Sequence, residues 1–147
     1  MTNIFRTSCA NSVRRRPRRW HNTRGIAATE LAVCLPIIVL LVIGTIEACS
    51  ALFLKQALTV AAYEGVRTAI DENATSASVQ AACDQILADR RIKGATVTLK
   101  PSNIAALNPG DFIDITVSAP CASNSLVPTT FYRGRTLSAT DSMMIEN

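Results

Sequence analysis

Apolar residues are gathered toward one part of this chain. From Leu31 to Ile46 no residue is charged, and the apolar character reaches back to Ile26 with a single acid, Glu30, inside it. The uncharged stretch alone is short for a bilayer. Counted from Ile26 it gives about 31 Å of helix at about 1.5 Å per residue, which matches a hydrocarbon core. Pro36 removes one backbone donor and should kink the helix, a defect that membrane spans tolerate. Beyond the run, Leu54, Leu58, Ala61, Ala62, Val66 and Ala69 keep helical spacing, with no Gly-Pro break before Ile70. The pattern predicts one helix over residues 26–70, roughly 68 Å long, spanning a membrane to about residue 48 and projecting beyond it. Within it Ala57, Ala61, Gly65 and Ala69 recur every four residues, and Gly44 with Ala48 repeats the spacing. Such a stripe admits a second backbone at close range, either the protein's own sheet or another helix.

After a polar break at Asp71 to Ser78, Val79, Ala82, Cys83, Ile86 and Leu87 fall on one face of a second helix that Gly94 can close. Ala95 to Leu99 is a short β-branched segment. Asn108-Pro109-Gly110-Asp111 is a strong turn, and Ile113, Ile115 and Val117 then alternate with Asp114 and Thr116. A last strand falls within Thr136 to Ile145. The expected fold is α+β: a long N-terminal transmembrane helix continuing into a small exported head with a second helix and an antiparallel sheet. The expected organisation is a basic leader at 1–25, the long helix at 26–70 and the head at 71–147.

Charge sharpens this division. Residues 1–25 hold seven arginines and no acid, whereas residues 26–147 hold eight Lys and Arg against eleven Asp and Glu, so the overall +4 belongs to the leader. Clustered arginines beside Trp20 are also a surface for phosphates and bases. Directly before a span they instead hold the N-terminus on the cytoplasmic side and send the remainder out. A partner is therefore expected in the membrane, with no nucleic acid. Glu30 must lie at or just inside the bilayer, where a carboxylate needs protonation, snorkelling or a cationic partner.

Three export signals fit the N-terminus. One cuts after the apolar region near Ala48 to Ala51, as in a secretory signal. Another lipidates Cys49. The third cuts before the apolar region, after Gly25, and leaves the hydrophobic helix on the mature chain. An uncleaved signal anchor is the remaining alternative. Of the five cysteines, Cys9 lies in the leader, and Cys34 and Cys49 serve as small apolar residues in or near the span. Cys83 and Cys121 are candidates for a disulfide in an oxidising compartment, closing a loop of about 39 residues, against the alternative of two buried free thiols. The single histidine, His21, lies in the leader, so no histidine-based triad or metal site can form in the rest. There is also no glycine-rich phosphate loop. No catalytic residue, metal, cofactor or small-molecule substrate is expected.

Gly25-Ile26-Ala27-Ala28-Thr29-Glu30 resembles the processing region of bacterial type IV prepilins and pseudopilins. The fuller series narrows the resemblance: Arg24 to Ala32, then Leu35-Pro36, Gly44-Thr45-Ile46-Glu47, and Gln56-Ala57 through Ala61-Ala62-Tyr63-Glu64-Gly65-Val66-Arg67. It is similar to the TadE-like family of minor pilins in the tight-adherence (Flp) pilus system, with Leu31 where such proteins commonly have an aromatic. The resemblance implies cleavage by a prepilin peptidase between Gly25 and Ile26. It implies that Glu30 neutralises the new amine of a neighbouring subunit. Further implied partners are other pilins or pseudopilins and the pilus assembly platform. The implied location is the bacterial inner membrane, with the head in the periplasm or in a surface pilus used for adherence.

Overall fold

The structure is a computed structural model describing residues 23–71, 73–104, 108–128 and 130–145. Most of the leader, including Cys9, His21 and all its arginines but Arg24, lies outside the described residues. The chain divides into two compact units, residues 1–36 and 37–147. In the first, the described part is the opening of helix α1 (Thr23–Ala69), whose residues from Gly25 to Pro36 are all exposed.

The second unit holds the rest of α1 and the head: α2 (Ser76–Asp89), then β1 (Thr96–Lys100), β2 (Phe112–Pro120) and β3 (Thr136–Met144). The strands form one antiparallel sheet in the order β1-β2-β3, an order the sequence left open. Val97 pairs with Val117, and Val117 with Ala139, across the sheet. The alternation read in β2 runs one step further than expected: Ile113, Ile115, Val117 and Ala119 are all buried. Against this face pack Leu54, Leu58, Ala61, Ala62, Val66 and Ala69 of α1 and Val79, Cys83 and Leu87 of α2. Burial of each larger aliphatic side chain is worth about 1.5–3 kcal/mol. Lys55 adds a polar tie from α1, its ammonium donating to the Ser138 carbonyl of β3.

The small-residue stripe is buried in the head itself. Ala57, Ala61 and Ala69 are covered, and a Cβ at Gly65 would lie 2.5 Å from Cys83 Sγ and 3.2 Å from Ile115 Cδ1. The stripe from Ala57 to Ala69 therefore seats this chain's own α2 and sheet, and offers no open seam to another helix.

Local chemistry sets the limits of α2. Thr75 sits in extended backbone, its hydroxyl accepts from the Ser78 amide at 3.0 Å, and the Ser78 hydroxyl accepts from the Thr75 amide at 3.0 Å. This is a capping box with serine in the usual glutamate position. The far end departs from expectation, because the helix stops well before Gly94. Arg91 takes the left-handed conformation, φ 55°, while the amides of Arg91 and Ile92 reach back to the carbonyls of Ala88 and Leu87. That is a Schellman ending with arginine where glycine is usual, and it turns Ile92 back onto the core.

Candidate membrane anchor and processing site

Residues 25–30 open the apolar helix. Nothing lies within 4 Å of a Cβ built on Gly25, and Ile26 is 60% exposed. The Thr29 hydroxyl donates to the Ile26 carbonyl at 2.7 Å. Glu30 is exposed and stands four residues after Ile26, so both share one face of the helix. The structure thus brings the three sequence-identified residues into the first turns, uncovered. From there to Ile46 the large apolar side chains remain exposed, among them Val33 at 72% and Leu41 at 60%. This helix is long and apolar enough to cross a membrane.

Where the apolar run ends, one acid is buried. Glu47 is only 1% exposed. Its Oε2 accepts from the Thr130 hydroxyl at 3.0 Å and the Phe131 amide at 3.1 Å, and its Oε1 accepts from the Tyr132 amide at 2.8 Å. Among the described residues no cation lies within ion-pair distance. A buried carboxylate costs several kcal/mol unless donors replace its water, and here three donors converge on it. Glu47 therefore clamps the loop before β3 onto α1, and a Cβ built on Gly44 would lie 3.6 Å from the Phe131 ring. Sequence reasoning did not find this role. An acid closing an apolar run reads as an interfacial residue, and two of its three partners are backbone amides, which leave no mark in a sequence.

Cys83 and Cys121 correct the expected disulfide: both are free and buried. Cys83 touches Gly65 and donates to the Ala61 carbonyl at 3.4 Å, whereas Cys121 lines a small cavity with Glu47, Ser50 and Leu54. Those seats are at least seven residues apart along α1, about 10 Å, while a disulfide needs Cα atoms within about 7 Å. Burial first, then the charges of Asp84 and Glu64, push the Cys83 thiol up to about 11 from 9.0. Burial also raises the Cys121 thiol. Alkylation in denaturant without reductant should modify both, and neither should react in the folded head at neutral pH. Because the folded thiol titrates above the unfolded one, the stability held by keeping Cys83 neutral is complete below pH 9 and declines as pH rises through 11. A steeper loss of stability in this window for the parent than for Cys83→Ala is the expected reading in pH-dependent melts.

These features define a protein with a membrane-capable N-terminal helix and a small α+β head seated on that helix. Residues 25–67 match the family model described as TadE-like protein. The resemblance read from the residues is thus found over the helix, from Gly25 to Arg67. No curated protein and no solved structure gives a significant match.

Proposed function

We propose that this chain is a TadE-like minor pilin or pseudopilin, cleaved by a prepilin peptidase after Gly25, that takes part in assembling or initiating a Flp/Tad pilus used for adherence. The observation that carries this is that the family match opens at Gly25 itself and covers the helix that processing would leave at the new N-terminus. Cleavage frees an ammonium on Ile26, and Glu30, exposed one turn later, is placed to neutralise the amine of an adjacent subunit. Either charge alone is strongly unfavourable in hydrocarbon, and the pair satisfies both. The protein would sit in the bacterial inner membrane with its N-terminus cytoplasmic and its head periplasmic, among other pilins and the assembly platform. Attachment through Cys49 fits less well. A cut before Cys49 would discard Glu47 and free the loop that its carboxylate holds.

Glu30→Ala is the test of this division of labour. Processing should remain at the parent level, read as the mass of the membrane form. Recovery of the protein with sheared pili, or in complexes with other pilins, should fall by about tenfold or more, the scale of one lost buried charge pair. A variant left uncleaved yet assembled normally would overturn the assigned roles.

A further inference from the structure

The loop that Glu47 holds has an unusual composition for its place. Leu126 is 88% exposed and Phe131 57% exposed, and Phe131 is followed by Tyr132, Arg133, Gly134 and Arg135. The clamp sets Phe131 beside Gly44 and Glu47, at the last residues of the apolar run on α1. Phe131, Tyr132 and Arg135 line an open cleft of about 450 Å³ with Gly44 and Ala48. A second cleft, of about 440 Å³, pairs Phe53 and Leu126 with Arg90 and Arg91. Ser125 lines it too, and its buried hydroxyl has no hydrogen-bond partner among the described residues. Asn124 fixes the base of the loop, accepting from the Lys93 amide and donating to the carbonyls of Lys93 and Pro120.

The arginines of the head are gathered at one end, with Asp89 directly before Arg90, while Lys100 stands in register with Asp114 at the other. Every arginine after Arg67 is one of these four: Arg90, Arg91, Arg133 and Arg135. The sheet register places Asp111, Asp114 and Asp141 toward the opposite end of β2, away from Pro120 and Cys121. Arginines next to exposed aromatic and aliphatic side chains, at the level where a helix leaves its apolar run, match the chemistry of a bilayer interface. Guanidinium groups meet lipid phosphates there while the apolar tips enter the acyl boundary.

We propose that this end of the head is a lipid-docking surface, in which Leu126 and Phe131 enter the interfacial layer and Arg90, Arg91, Arg133 and Arg135 contact anionic phospholipid headgroups. The inference rests on the reading that α1 spans the membrane. It adds that the head lies down on the leaflet instead of standing free of it, with Glu47 setting the depth of the loop. A second copy of the chain is the competing occupant. Lipid is favoured because the first cleft opens at the last residues of the apolar run, and because each cleft joins a cation to an exposed apolar side chain.

The test uses the full chain in nanodiscs, with Trp20→Phe as background and Leu126→Trp or Phe131→Trp as reporter. The expected result is quenching of the new indole by bromine on the acyl chains, at least about twofold stronger with phosphatidylglycerol present than with phosphatidylcholine alone. Replacing the four arginines by glutamine should bring it down to the neutral-lipid level, and inorganic phosphate at matched ionic strength should leave it unchanged. Quenching insensitive to lipid charge and to the arginines, displacement by free phosphate, or shielding that appears only with two cross-linked copies per disc would each overturn the proposal. A chain that fails to enter discs would instead refute the membrane reading beneath it.

Discussion

Glu47→Ala should release residues 130–135 from α1 and cost the head about 2–4 kcal/mol. The alanine removes both acceptor oxygens, leaving the Phe131 and Tyr132 amides and the Thr130 hydroxyl without their shared partner. Unsatisfied buried donors cost about 1–3 kcal/mol each, and exposure of the loop lets water recover part of that. For a head of this size the loss corresponds to a melting temperature lower by roughly 10–20 °C. Glu47→Gln keeps one acceptor oxygen and should lose about half as much. The local consequence is separable from the global one, because a freed loop can extend into the trypsin site at the already exposed Arg133 and Arg135 before the head unfolds. An unchanged melt together with unchanged trypsin resistance would show that the carboxylate does not hold the loop.

Gly65→Val is the second large effect, expected at about 3 kcal/mol. Any Cβ at this position meets Cys83 Sγ at 2.5 Å, and the branches of valine meet the Ile115 side chain as well. Both neighbours are fully buried, so relief requires α2 to back away from α1. Overpacking of this kind costs about 1–3 kcal/mol or more, while the gain in helix preference from replacing glycine is under about 1 kcal/mol. Cys83→Ala removes the colliding sulfur and should restore part of the loss, so a double-mutant cycle should give a coupling of about 1 kcal/mol or more. Additivity between the two sites would contradict the close approach.

The stripe to which Gly65 belongs shows how far sequence carried. Its four-residue spacing marked a face for close approach, yet spacing alone does not distinguish a sheet of the same chain from a second helix. The alternation at Ile113, Ile115 and Val117 was legible because a half-buried strand must repeat every two residues. So was the long helix, whose apolar opening run matches a hydrocarbon thickness and whose helical spacing continues beyond it. The end of α2 was misread because Gly94 is the residue most suited to left-handed backbone. The ending is set instead by Ile92 turning back to the core, and Arg91 accepts the conformation that this imposes. The Cys83–Cys121 bridge failed for a related reason, since the number of intervening residues says nothing of where along α1 each cysteine is seated. Glu47 was hidden most completely. Its partners lie more than eighty residues away, and two of them are main-chain amides.

At the proposed processing site the roles expected of Gly25, Ile26 and Glu30 rest on the ordered residues around them, and the structure adds that all three are exposed. If function begins with a cut at this point, intact mass and N-terminal sequencing of the membrane-extracted protein should show a chain beginning at Ile26; a chain beginning at Met1 or at a lipidated Cys49 would overturn it.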